Sequence, residues 1–426
     1  MGRKNQKSKD KKPGNQIAIT QVIDRFMRSI EGLSASLPIV ISTMGLECEK
    51  HGKVLNDFFK KYAEKNETDG EKKYVLKLNT TNYQRFKTIS TDLHRLILSL
   101  DIIPKNYIVS LISIYDAFLG DLIRCLYRLK PDILNASEKN ISYTRLIEFK
   151  NIEDAKQYII EKEVEELLRK SHVEQFDWLQ NKFDIKLKEG LSIWPTFVEL
   201  TQRRNLFAHC DGIVSQQYLD VCKVNRVKLD KCRPGNRLSV SPTYFDEAFR
   251  CLFEVGVKLS HVLWRKLRPD QIEEADKHLG SDIIYHLLCL EQYDLAKISS
   301  DFAINVLKKY SDDSRRRIYI INAAIAYKFS GDNLVAKQIL DKEDWSASDN
   351  VFKLCVAILK DEFKIAPDLM KKIGTNNVWL DKQSYVDWPV FKEFRSSGYF
   401  LKAYKEVFGE DFENREDISE IIEKRD

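Results

Sequence analysis

Residues 193–212, IWPTFVELTQRRNLFAHCDG, display both ends of a helix. Pro195 suits the first helical position, where a missing N–H loses no hydrogen bond, and Gly212 suits the position past the last turn, where the backbone turns left-handed. A helix from about Pro195 to Asp211 is therefore expected, with His209 in its last turn. Asn205 and His209 are four residues apart and share a face, so the amide can fix the imidazole ring. Arg204 lies about 140° around the axis from His209, within reach of the same seam through its long side chain. A guanidinium fork fits phosphate oxygens, and histidine is the side chain whose ordinary pKa lies near neutrality. The carbonyl end of the helix favours the imidazolium. Arg204, Asn205 and His209 thus carry the equipment for acid–base cleavage of RNA. The alternative is that Arg204 and His209 decorate a solvent face while Leu200 and Phe207 pack inward.

Upstream, Pro104 and Pro131 delimit a helix at about 105–130, whose apolar residues Ile108, Leu111, Tyr115, Phe118, Leu122, Cys125 and Leu129 step by three or four and face a core. Two carboxylates interrupt that stripe. Asp116 and Asp121 are candidates to pair with His209 or Arg204 from a neighbouring helix, and Asp121 can instead pair with Arg124 or Arg128 on its own. Downstream, Val227 and Leu229, then Leu238 and Val240, alternate with polar residues around RPGN, which predicts a short β-hairpin. Lys223, Arg226, Lys228, Lys231, Arg233 and Arg237 make this segment basic, either an RNA-facing groove wall or a hairpin edge guarded by charge. Arg203 faces the same choice, as a second phosphate contact or a surface charge. A further helix is expected from Ser241 or Pro242 until Pro269.

The flanks bound the class. At 426 residues the chain exceeds one core, and its few prolines and glycines beside 31% charged residues describe a helical globular protein. The net charge of +5 resides in residues 1–15, which hold six Lys/Arg and one Asp, so 1–16 is expected to be a disordered basic tail. No secretory signal follows. The longest apolar run, 33–46, contains Pro38 and falls short of the roughly 20 residues a bilayer needs, so a soluble, cytoplasmic chain without a membrane span is expected. Eight scattered cysteines lack zinc-site spacing and read as reduced thiols. No metal or cofactor is expected, a cluster of His209, Cys210, Cys222 and Cys232 being the minority reading. The polar stretch EKNETDGEKKY, residues 64–74, reads as a loop. Beyond 269, Ala296, Ala336, Ala366 and Ala403 recur at intervals near those of helix-turn-helix repeats, predicting an α-solenoid-like domain of helical hairpins over 269–426. AAIAYKFSGDNLVAKQIL resembles a tetratricopeptide-type repeat, although the signature Trp-Leu-Gly pattern is missing.

RRNLFAHCDGIVSQQYL resembles the HEPN family (higher eukaryotes and prokaryotes nucleotide-binding), whose signature is Arg, a polar residue often Asn, three residues, then His. The likeness extends over about 105–268 through VSLISIYDAFLGDLIRCLYRLKP, VEELLRKSHVEQFDWLQNKF and RPGNRLSVSPTYFDEAF. It implies an all-α, HEPN-like domain over 17–268, here with a small β-hairpin insertion, that forms a homodimer through its motif-bearing face. It also implies metal-independent endoribonuclease activity in a toxin or anti-phage role. His209 would act as general acid or base, Arg204 would stabilise the phosphate, and Asn205 would orient the pair. The competing expectation is a catalytically inactive HEPN scaffold acting through protein contacts, with a protein partner on the repeat domain in either case.

Overall fold

The computed structural model describes residues 18–68, 71–136, 140–229, 232–377 and 379–412, the side chains of 65–68, 71–74 and 135–136 excepted. The basic tail expected over 1–16, and Lys231, lie outside the described residues. The described chain is mostly helical, with one small antiparallel sheet, and divides into two compact units, up to Leu263 and from Trp264 onward.

The first unit is built on α1 (Ile19–Tyr62) and α2 (Thr80–Leu129), which pack together along their length and are joined by β1 (Ala63–Thr68) and β2 (Glu71–Leu76). The strands pair antiparallel, Ala63 opposite Leu76 and Thr68 opposite Glu71, where a loop was expected. The Asp69–Gly70 dipeptide between them was the overlooked hairpin signal. Pro104 does not begin a helix, because α2 runs through it. Packing of α1 along α2 supports a helix that local propensity alone would break, and α1 likewise continues through Pro38. Both helices thereby contain apolar stretches long enough to cross a membrane, so the length argument made on residues 33–46 does not exclude a span. From their middles toward the strands, these helices leave Ile39, Leu46, Ile97 and Ile102 exposed.

Their other halves form a core. Ile23, Phe26 and Ile30 of α1 and Leu111, Tyr115, Leu119 and Leu122 of α2 are buried. Each such side chain contributes about 1.5–3 kcal/mol on leaving water. Phe26 stacks on Phe118 with ring centroids 4.2 Å apart. Phe26 also explains Gly256: a Cβ there would stand 2.2 Å from the Phe26 ring, so the close approach requires glycine. Around this pair lie α3 (Tyr143–Leu146), α4 (Ile152–Leu168), α5 (His172–Phe183), α6 (Trp194–His209), α7 (Gln216–Val224) and α8 (Pro242–Leu267). Ser171 caps α5 and Glu174 returns the bond to the Ser171 backbone, a capping box that fixes where α5 starts.

The second unit begins within α8 and continues as α9 (Ile272–Lys277), a π-helical turn (His278–Tyr285), α10 (His286–Cys289), α11 (Tyr293–Asp301), α12 (Asp313–Phe329), α13 (Asn333–Asp341), α14 (Asn350–Leu359), α15 (Ala366–Ile373), α16 (Lys382–Asp387) and α17 (Gly398–Phe408). Ala296, Ala336, Ala366 and Ala403 fall on α11, α13, α15 and α17, and all four are buried. Neighbouring helices pack successively, α11 on α12, α12 on α13 and α14 on α15.

Candidate functional site

The motif helix α6 starts with Pro195 at its first positions and ends at His209. Asp211 and Gly212 then adopt φ of +50° and +77°, and the Gly212 amide donates back to the Leu206 carbonyl at 3.0 Å. This left-handed turn projects His209, Cys210 and Asp211 into solvent. His209 and Asn205 share the expected face, but neither makes a side-chain hydrogen bond among the described residues, to the other or elsewhere.

Arg204 is held from α2. Its Nη2 donates to Asp116 Oδ2 at 3.0 Å, and His172 Nε2–H donates to the other oxygen of the same carboxylate at 2.9 Å. His172 is only 5% exposed and packs against the rings of Tyr115 and Phe197. Arg204 and His172 therefore share one acceptor, which sets the direction of the guanidinium, while its Nε stays buried without a partner among the described residues. Burial, then the Asp116 charge, pushes the Tyr115 hydroxyl well above the ordinary tyrosine range, so it stays neutral beside this carboxylate. His172 is the site residue that motif reading missed. Its signal was the capping box starting at Ser171, which puts His172 at the first position of a helix facing α2. The two carboxylates of α2 part ways: Asp121 bonds Arg124 at 3.3 Å and Arg25 of α1 at 2.5 Å, away from the motif.

Arg203 serves the fold. Its Nε donates to Glu199 at 2.6 Å, and its guanidinium lies 3.9 Å from the centre of the Tyr244 ring. Glu199, 7% exposed, also accepts from the hydroxyls of Tyr218 at 2.7 Å and Tyr244 at 2.8 Å. One carboxylate thus joins α6, α7 and α8, and a cation spent on it is not presented to a phosphate. Burial first, then the Glu199 charge, raises the pKa of both tyrosines.

Among the described residues of 227–240, the expected pairing of Val227 and Leu229 with Leu238 and Val240 in a β-hairpin is absent. Val227, Leu229 and Leu238 do turn inward, against Leu206, Val214, Tyr218 and Cys222. The partner strand is different: Ile213 bridges Arg237, the Val214 amide donates to Asn236 O at 2.8 Å and the Leu238 amide to Gly212 O at 2.9 Å. The left-handed turn after α6 exposes backbone groups at 212–214 that the returning chain takes up instead. This docks the basic segment against the end of the motif helix. Lys223, Arg226, Lys228 and Arg233 are exposed and without an ion-pair partner among the described residues, whereas Arg237 donates to both oxygens of Asp211 at 2.8 and 2.7 Å. Among the described residues no three of the His, Cys, Asp and Glu side chains are placed to hold a metal ion, so His209 and the nearby cysteines do not form the alternative cluster.

Comparison with family models, with curated proteins and with solved structures finds no match to this chain.

Proposed function

We propose that this protein is a metal-independent endoribonuclease of the HEPN type, with Arg204, Asn205 and His209 as its working residues. One observation supports the reading above the others: Asp116 orients Arg204 from outside its helix while His209, one turn further on, is left exposed and unbonded. An aimed guanidinium and a free imidazole at a solvent-facing helix end suit a phosphodiester, the first for charge on the phosphate and the second for its protons. His209 takes the 2′-hydroxyl proton as that oxygen attacks phosphorus, and the departing 5′-oxygen receives a proton from the same motif on a second copy. The P–O5′ bond breaks, leaving a 2′,3′-cyclic phosphate and a 5′-hydroxyl. Lys223, Arg226, Lys228 and Arg233 would track the RNA backbone beside this centre. The unit from Trp264 onward, read as an α-solenoid of tetratricopeptide-like hairpins, would take a protein partner that restrains or directs cleavage in a defence or toxin setting.

The test is incubation of wild-type protein and His209→Ala with total RNA in EDTA, reading fragment ends. Cleavage to cyclic phosphates by wild type alone, with unchanged melting of the variant, upholds the reading. Equal cleavage, or none, returns the protein to the scaffold alternative. Sedimentation at micromolar concentration gives a dimer if the site is composite.

A further inference from the structure

Past their shared core, α1 and α2 continue side by side as an arm. From Pro38 to Tyr62 only Phe58 of α1 is buried, and no residue of α2 before Lys105 is. The helices hold each other along this stretch: Ser36 and Tyr107 share a hydrogen bond at 3.3 Å, and Phe58 and Phe59 each meet the Phe86 ring at 5.8 Å. Two helices alone cannot bury more than the strip between them, and here the apolar pattern is wider than that strip.

On α1, Ile41, Gly45, Cys48, Gly52, Leu55 and Phe59 follow one another in steps of four and three. On α2, Tyr83, Phe86, Ser90, Leu93, Ile97 and Leu100 do the same in steps of three and four. Such steps average 3.5 residues, the spacing by which helices pack along one another. The edge-on contact of Phe59 with Phe86 sets both rows on one face of the arm. No position of either row is charged. Phe59, Tyr83 and Ile97 are 36%, 53% and 53% exposed, and the other nine residues are half-buried. A Cβ at Gly45 or Gly52 would meet nothing within 4 Å. Each glycine costs its helix about 1 kcal/mol against alanine, and no neighbour within the chain requires one there.

We propose that this face pairs with the same face of a second copy, the two arms closing into a four-helix bundle in which Gly45 and Gly52 let the facing helix come close. Lipid would favour apolar residues all round, yet over the outer half of the arm the rows are interleaved with Glu49, Lys53, Asp57, Lys87, Asp92 and Arg95 on other faces. A nucleic acid or an acidic protein would need cations, which the rows lack. A second copy brings a face of the same length, spacing and absence of charge, as two-fold pairing requires. Over residues 38–62 the arm rises about 37 Å and two adjacent helices are about 20 Å across, a face of about 750 Å². That is close to the roughly 800 Å² each partner contributes to a stable interface. The bundle does not rest on the ribonuclease reading, since neither row includes a residue of the Arg204–His209 motif or of the basic segment beside it.

The test is sedimentation equilibrium of the full chain over the micromolar range, with flotation on phosphatidylcholine vesicles beside it. Wild type should self-associate. Ile97→Lys and Tyr83→Lys should each weaken one association step about a hundredfold, with helix content by circular dichroism unchanged because both positions are already half exposed. Should Ile97→Lys lose helix content, Tyr83→Lys decides alone. Ile39→Lys and Leu46→Lys are the controls: these positions are more exposed, at 67% and 58%, but lie off the row, about 100° or more around α1, and should leave association unchanged. If the motif-bearing faces also pair, the row variants should retain that smaller assembly. A monomeric wild type, association indifferent to both row variants, or association weakened equally by the controls overturns the proposal. Flotation of wild type that the row variants abolish would give the face to lipid and overturn it as well.

Discussion

Arg204 Nη2 lies 3.0 Å from Asp116 Oδ2, a contact across 88 residues of sequence that ties the motif helix to the core helix beneath it. The Asp116 side chain is about a third exposed, and its second oxygen is engaged by His172. Asp116→Asn removes the charge at nearly constant shape and frees the Arg204 guanidinium to swing. If that guanidinium works on the phosphate, cleavage should fall about a hundredfold, the scale of a misplaced group. The loss should appear in kcat with KM little changed, in single-turnover assays on a defined RNA. A variant that melts lower yet cleaves at the wild-type rate would make the pair a structural bridge only.

Glu199 predicts the opposite pattern. Its side chain and that of Arg203 are 9% and 16% exposed, and removing one partner of a buried pair costs about 3 kcal/mol. Glu199→Gln keeps the size of the side chain, but it retains one acceptor oxygen where Tyr218 and Tyr244 bond to two, and it leaves the Arg203 charge uncompensated. Thermal unfolding should register the loss directly, while the RNA-binding constant, measured below the melting range, should not move.

The division between these two arginines could not be read from the sequence. Arg203 and Arg204 are adjacent and chemically identical, and only the placement of α2, α7 and α8 gives one to Asp116 and the other to Glu199. The helix carrying them was legible, because Pro195 and Gly212 act locally. The buried alanines of the second unit were legible too, because small residues recur where successive helices approach. Long-range competition for partners was not legible. The apolar alternation at Val227, Leu229 and Leu238 correctly announced inward-facing side chains, yet the backbone partner came from 212–214, freed by a turn of two left-handed residues. Pro104 misled for the same reason: its effect on a helix is local, and the packing of α1 along α2 is not.

Buried hydroxyls and thiols around Glu199 set a limit at high pH. Burial first, then the Glu199 charge, raises Tyr218 and Tyr244 above their ordinary value of 10.0, and pushes Cys222 from 9.0 up to about 12. Each group is neutral in both states below its unfolded pKa, so its contribution is complete there. Above it the unfolded chain ionises first, and stability falls as pH climbs from about 9 toward the folded values. Melting temperatures should therefore decline steeply between pH 9 and 11, with tyrosinate absorbance from these two residues rising only on unfolding. Tyr244→Phe should flatten the decline; an unchanged slope would place the alkaline sensitivity elsewhere.

The four exposed cations beside the motif make a separate, salt-dependent prediction. Lys223, Arg226, Lys228 and Arg233 have no ion-pair partner among the described residues, so binding RNA through them releases counterions instead of breaking protein contacts. Each phosphate contact on single-stranded RNA contributes about 0.7 to the slope of log affinity against log salt. Lys223→Gln, Lys228→Gln and Arg233→Gln should each lower that slope by about this amount and leave melting unchanged. Arg237→Gln should change it less, because Arg237 must first leave the Asp211 carboxylate, and Arg203→Gln should leave the slope intact while lowering stability. Filter-binding titrations from low to physiological salt distinguish these cases. Slopes unaltered by all three exposed substitutions would remove the segment from the RNA path and leave its charge as protection of an exposed loop.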